Sequence, residues 1–157
     1  EAGQVTLPCP AAKQDDLSQD LKNTASYTYE DGSIFYGETN NGQPADGAGT
    51  MVYATGNRYQ GDYQNGQRSG CGIFTFSNGR RYIGQFETDQ FNGKGTWILK
   101  NGERYIGEFK DNECDGNGTF IFANGSTKSG TWQNGQLKDT SLRCKSGSLL
   151  IPTSADN

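Results

Sequence analysis

The sequence predicts an all-β protein. The expected form is an elongated single-layer antiparallel sheet of stacked hairpins, with a short N-terminal helix or cap and an irregular C-terminal tail. Three observations carry this. The stretch from Asn78 to Gly102, NGRRYIGQFETDQFNGKGTWILKNG, returns 23 residues later as NGERYIGEFKDNECDGNGTFIFANG and 23 residues earlier as TGNRYQGDYQNGQRSGCGIFTFSNG. A fixed period in this range marks a repeat array. Glycine makes up 23 of 157 residues, too many for helices and too periodic for a linker. Apolar residues are only 31%, which suits a thin, one-sided sheet better than a thick core.

Residues 1–32 read as an N-terminal tail and capping segment. Pro8, Cys9 and Pro10 favour an extended start. Residues 13–24, KQDDLSQDLKNT, have the spacing of a short helix, with Asp15 or Asp16 as cap and Leu17 and Leu21 on one face. Such a helix would cover the first repeat, because solenoid ends expose an edge.

Residues 33–133 hold about four and a half repeats of 23 residues. Gly37, Gly61, Gly84, Gly107 and Gly130 form one column. Two residues before them stand Phe35, Tyr59, Tyr82, Tyr105 and, out of pattern, Lys128. Two residues after stand Thr39, Tyr63, Phe86, Phe109 and Trp132. Paired glycines follow at Gly47/Gly49, Gly70/Gly72, Gly93/Gly95 and Gly116/Gly118. Met51, Phe74, Trp97 and Phe120 come next, then Tyr53, Phe76, Leu99 and Phe122. Repeat one carries one extra residue, and the last unit stops halfway.

Each unit reads as a hairpin of two short strands. Side chains alternate faces, so Tyr82, Gly84 and Phe86 share a face, as do Gly95, Trp97 and Leu99. Both sets belong to one aromatic face. A mid-strand glycine weakens a strand unless something approaches closely, so an aromatic ring is expected flat over each glycine. Parity then fixes the loops. Phe76 and Tyr82 face the same way only if the loop around Asn78-Gly79 is odd, a three- or five-residue loop with Gly79 at positive φ. The loop after Phe86 must be even. Nine strands at about 4.8 Å spacing span roughly 40 Å.

These columns resemble the MORN repeat (membrane occupation and recognition nexus). The resemblance rests on Tyr59-Gln-Gly61-Asp-Tyr63 with Gly70-Cys-Gly72-Ile-Phe74, Tyr82-Ile-Gly84-Gln-Phe86 with Gly93-Lys-Gly95-Thr-Trp97, and Tyr105-Ile-Gly107-Glu-Phe109 with Gly116-Asn-Gly118-Thr-Phe120. It covers residues 33–133, with repeat one and the final half repeat as atypical end units. It implies an elongated, slightly twisted antiparallel sheet and no catalytic residues. The roles it implies are scaffolding, dimerisation, lipid contact or service beside an enzyme, and fold does not choose among them.

Opposite the aromatics run other columns. Arg58, Arg81 and Arg104 form one; Gln60, Ile83 and Ile106 the next; Glu38, Asp62, Gln85 and Glu108 a third. Val52, Ile98 and Ile121 align on the second strands, with Thr75 among them. Mixed charge suits a solvated face. The isoleucines would nonetheless make a small apolar patch flanked by Arg and acid, a kind of patch that marks partner sites. Candidate partner-binding residues are therefore Arg58, Arg81, Ile83, Ile98, Arg104, Ile106 and Ile121. The alternative site is the aromatic face itself. If nothing covers Tyr59, Tyr82, Trp97, Tyr105 and Phe109, they could hold a peptide, a lipid headgroup or a small ligand; more commonly such rings are simply core.

Residues 134–157 lose the pattern and end in a C-terminal tail with the apolar run Leu149-Leu150-Ile151, suited to covering the last strand or docking on a partner. Four cysteines allow three pairings. Cys71 and Cys114 lie in repeats two and four, about 20 Å apart along the stack. A disulfide requires Cα atoms within about 7 Å, which disfavours that pair. Cys9–Cys71 with Cys114–Cys144 ties each tail to the array. The swapped scheme, Cys9–Cys114 with Cys71–Cys144, asks both tails to travel further.

The chemistry of the chain is sparse. There is no His, so a Ser-His-Asp triad is impossible and the commonest metal ligand is missing. The run Asp111-Asn-Glu113-Cys-Asp115-Gly116 starts like a calcium loop, but Phe122 stands where the twelfth-position Glu is needed. No metal, cofactor or catalytic site is expected, and the carboxylates of the Asp62–Glu108 column read as solvated. Asn117-Gly-Thr and Asn124-Gly-Ser are glycosylation sequons, meaningful only in a eukaryotic secretory route.

A net charge of −4 argues against nucleic acid and a strongly anionic membrane surface. No apolar run approaches the ~20 residues that span a bilayer. Glu1 at the start and an even cysteine count suggest a processed chain in an oxidising compartment. The expected function is a non-enzymatic protein-interaction or scaffold module, an extrinsic accessory subunit of a membrane complex on its extracytoplasmic side. Direct membrane contact and homodimerisation are left open.

Overall fold

A computed structural model of the chain describes Cys9 and residues 24–145. Among the described residues there is no helix, and the fold is all-β. The predicted helix of residues 13–24 and the apolar run at Leu149 to Ile151 lie outside them. The strands are β1 (Ser26–Thr28), β2 (Ile34–Tyr36), β3 (Thr39–Asn40), β4 (Gln43–Pro44), β5 (Gly47–Val52), β6 (Arg58–Gln64), β7 (Gln67–Thr75), β8 (Arg81–Glu87), β9 (Gln90–Ile98), β10 (Arg104–Lys110), β11 (Glu113–Ile121), β12 (Thr127–Gln133) and β13 (Gln136–Leu137). Eleven of them form one open antiparallel sheet in chain order, with β3 and β4 paired separately as a small hairpin. The sheet exceeds the expected nine strands by β1 and β13, two short strands that pair onto its ends.

The loops obey the parity argument. At one edge the chain turns through three residues. Phe76 N–H donates to Arg80 O at 2.8 Å, Gly79 N–H donates back to Phe76 O at 2.9 Å, and Gly79 has φ +97°. The side-chain Oδ1 of Asn78 accepts from Arg80 N–H at 3.0 Å, and those of Asn101 and Asn124 do the same for Glu103 and Ser126 at 2.9 Å each. This is why Asn recurs before each turn glycine. At the other edge the turns have two residues, both at positive φ: Asn65-Gly66, Thr88-Asp89, Asp111-Asn112 and Asn134-Gly135. Two-residue turns of this kind match the natural twist of a hairpin.

Between those turns and the glycines the register shifts. Gly84 pairs with Gly95, but Phe86 pairs with Phe91, so β9 carries two extra residues. The same shift separates Gly107/Gly118 from Phe109/Cys114. Gly93 and Gly116 take φ +100° and +105° inside the bulge.

The tyrosine column holds the two strands of each repeat together. A Cβ on Gly95 would sit 2.5 Å from the Tyr82 hydroxyl and 2.6 Å from its Cε1. Tyr59 covers Gly72 and Tyr105 covers Gly118 in the same way. Each ring then reaches the bulge: the hydroxyls of Tyr59, Tyr82 and Tyr105 donate to the carbonyls of Asp62, Gln85 and Glu108 at 2.7, 2.6 and 2.9 Å. Only glycine lets the ring lie low enough to make that bond.

Both disulfides are formed: Cys9–Cys71 with Cα atoms 5.4 Å apart, and Cys114–Cys144 at 6.5 Å. Residues 136–144 fold back on the sheet, with Leu137 N–H donating to Leu142 O at 2.9 Å and Cys144 N–H to Gly135 O at 3.1 Å. Leu137, Leu142 and Cys144 are buried there, and Leu137 takes over the covering role of the missing tyrosine at Gly130. Beyond β13 this stretch of the C-terminal tail is irregular, as expected, and is packed against the sheet.

Candidate interaction surfaces

The middle of the aromatic face is closed by its own rings, which interlock edge to face from strand to strand. Phe35–Tyr63, Tyr63–Tyr59, Tyr59–Phe86, Phe86–Tyr82, Tyr82–Phe109, Phe109–Tyr105 and Tyr105–Trp132 all have centroids within 5.2 Å. Edge-to-face contact is the geometry that ring quadrupoles prefer. Burial raises the phenol pKa values of Tyr59, Tyr63, Tyr82 and Tyr105 far above the ordinary value, because the phenolate would lose its hydration.

This corrects the alternative ligand face. Tyr59, Tyr82 and Tyr105 are fully buried and Trp97 and Phe109 are 3% exposed. The condition for that reading was that nothing covered the rings; they cover one another.

The opposite face is the accessible one. Register places its side chains in rows across the strands. One row runs Arg58, Thr75, Arg81, Ile98, Arg104, Ile121, Thr127. The neighbouring row runs Gln60, Ile73, Ile83, Thr96, Ile106, Thr119, Ser129. Ile98 thus stands between Arg81 and Arg104, and only Ile73 and Ile83 meet directly. The other isoleucines are diagonal neighbours, about 7–8 Å apart at Cα. The surface is a zigzag of apolar and cationic groups instead of one apolar patch. Arg58 and Arg104 are exposed; Arg81, Ile83, Ile98, Ile106 and Ile121 are half-buried.

The acidic column does not balance these cations. Gln85 and Glu108 turn back to brace the bulges, accepting the N–H of Lys94 and Asn117 at 2.7 and 2.8 Å. Arg68 pairs with Asp89 and Lys145 with Glu113, whereas Arg58, Arg81 and Arg104 project with no ion pair among the described residues.

Two groups escaped the sequence reading. Ile73 completes the Ile73–Ile83 pair on the outer face. Arg68, Phe91, Cys114 and Leu137 form an inward column two residues before the paired glycines. The 23-residue shift aligns those four residues, but their chemical dissimilarity hid the column. Among the described residues no group of three His, Cys, Asp or Glu stands close enough to hold a metal ion, and no helix is long and apolar enough to cross a membrane.

No curated protein matches the chain closely enough to serve as a relative. The family model described as MORN repeat matches four consecutive segments, residues 44–58, 59–80, 82–104 and 105–127. The end units, Phe35 to Gln43 and Lys128 to Gln133, fall outside the matched segments. Four contiguous matches across more than half of the sequence, on hairpins whose glycines and tyrosines carry the structural roles described above, show that the chain belongs to the MORN-repeat family, a family of non-enzymatic modules for protein and membrane interaction.

Proposed function

We propose that the protein is a scaffold module that binds another protein through its outer sheet face, as an extrinsic accessory subunit of a membrane complex on its extracytoplasmic side. The observation that carries this is the row of unpaired cations. Arg58, Arg81 and Arg104 repeat every second strand, roughly 10 Å apart, and alternate with half-buried isoleucines. A rigid comb of this kind suits a partner that offers acidic groups at matching intervals and apolar groups between them. Two disulfides support an oxidising compartment.

The test is cross-linking in the native source followed by mass spectrometry, together with an Arg81→Glu/Arg104→Glu double variant. The expected result is a stoichiometric partner whose retention falls at least tenfold with charge reversal and with added salt. A partner that is retained equally by the double variant removes the outer-face reading. Binding of the wild type to anionic vesicles at low salt, lost in the double variant and with no protein partner found, replaces it by lipid recognition.

A further inference from the structure

The aromatic face changes character along the sheet. In repeats three and four its columns are apolar: Leu99 and Phe122, Phe86 and Phe109, Phe91 and Cys114. In the first two repeats the same columns carry Tyr29 and Tyr53, Tyr63, and Arg68. Every one of these substitutions adds a polar group at the tip of a flat side chain. Where they occur, the face opens into a cleft of about 530 Å³, within the usual size range for a ligand site. The extra hairpin of repeat one forms its wall. Tyr29 hydroxyl donates to Gly42 O at 2.7 Å, and Gln43 and Pro44 line the same side.

The cleft is preorganised. Arg68 lies over the Phe74 ring at 5.2 Å and the Tyr59 ring at 5.9 Å, donates to the Tyr53 hydroxyl at 2.5 Å and to Asp89 O at 2.8 Å. Its Nε stands 3.5 Å from the Asp89 carboxylate. Among the described residues that line the cleft, Arg68 and Asp89 are the charged ones, and they offset each other. Beside the tyrosine hydroxyls, the polar lining includes the amides of Gln43, Asn65 and Gln67, each both donor and acceptor.

We infer that this cleft binds a neutral oligosaccharide. The half-buried rings of Tyr29 and Tyr53 offer flat apolar surface to the C–H faces of pyranose rings. The amides match hydroxyls that donate and accept at once. A charged ligand, including a lipid phosphate, finds no uncompensated counter-charge among the described lining residues. A proline-rich peptide would supply carbonyl acceptors but few donors, leaving the amide oxygens unmatched.

The experiment titrates the full chain with cellohexaose, chitohexaose, maltohexaose and mannohexaose at millimolar concentration, followed by amide NMR shifts and calorimetry. A proline-rich decapeptide serves as comparison. The expected result is saturable binding of at least one hexasaccharide, with shifts confined to the segments around Tyr29, Gln43, Tyr53, Asn65 to Arg68 and Asp89. Gln43→Ala and Gln67→Ala each weaken it by about tenfold at unchanged melting temperature, as expected when an uncharged hydrogen-bond partner is lost. Ser129→Ala, at the far end of the sheet, leaves it unchanged. No saturable binding of any of the four sugars, binding of the decapeptide alone, or shifts mapping elsewhere overturns the inference. Because the cleft and the arginine row lie on opposite faces, this result and the partner test fail separately.

Discussion

The Tyr82 ring lies flat on the Phe91 ring, with centroids 3.9 Å apart and planes 9° apart. Tyr82 comes from β8 and Phe91 from the far end of β9, beyond the bulge. The two-residue register shift between Gly84/Gly95 and Phe86/Phe91 is what slides Phe91 under the tyrosine. Every other ring contact of Tyr82 is edge to face. Phe91→Ala should therefore lower unfolding free energy by about 3–5 kcal/mol, measured by urea denaturation. A loss under 1 kcal/mol would mean that the neighbouring rings collapse into the space.

The glycine columns should separate two kinds of cost. A Cβ at Gly84 would lie 2.5 Å from the Gly95 Cα, which is backbone and cannot step aside. Gly84→Val is expected to cost at least about 2 kcal/mol. Gly125, at φ +91°, has nothing within 4 Å of an added Cβ. Gly125→Ala should cost only about 1 kcal/mol, from backbone conformation alone. Equal costs in thermal melts would refute the ring-covering account.

Alkaline pH should unfold the protein. The four core phenols, Tyr59, Tyr63, Tyr82 and Tyr105, have folded pKa values raised by burial, while the unfolded chain ionises near 10. Below pH 10 both states are protonated and stability is unaffected. Above it the unfolded state sheds protons that the folded state keeps, so stability falls as pH rises, by up to about 1.4 kcal/mol per pH unit for each such phenol. Tyr105→Phe should lessen that slope while costing about 1 kcal/mol at neutral pH through the lost bond to Glu108 O. Denaturant titrations between pH 8 and 11.5 read both effects.

The Cys114–Cys144 bond clamps the last half repeat over a separation of 30 residues. Replacing both cysteines by Ser should cost about 2–4 kcal/mol. The loss should be seen first as faster hydrogen exchange in Gly130 to Leu142, with Tyr82 to Trp97 protected longer. Uniform loss of protection would show that the array unfolds as one unit.

Arg81→Ala touches no described ion pair and should leave stability within about 0.5 kcal/mol of wild type. A larger drop in the melting temperature would assign Arg81 a packing role and take it out of the proposed partner row.

The sequence by itself determined the fold class, the period, the two faces and the loop parity. All of these are properties of one strand and its turns. Alternation decides which way Tyr82 and Phe86 point, and a mismatch of parity at Asn78-Gly79 would turn a whole strand inside out. Stack distance likewise bears on which cysteines are near enough to bond. Tertiary structure decided what depends on register between strands. The bulge moved Phe91 under Tyr82, drew the tyrosine hydroxyls onto backbone carbonyls and turned Gln85 and Glu108 away from the arginines. It also set Ile98 between Arg81 and Arg104 and closed the aromatic face over Trp97 and Phe109. No strand carries that information alone, because a two-residue slip in its neighbour changes which side chain it meets.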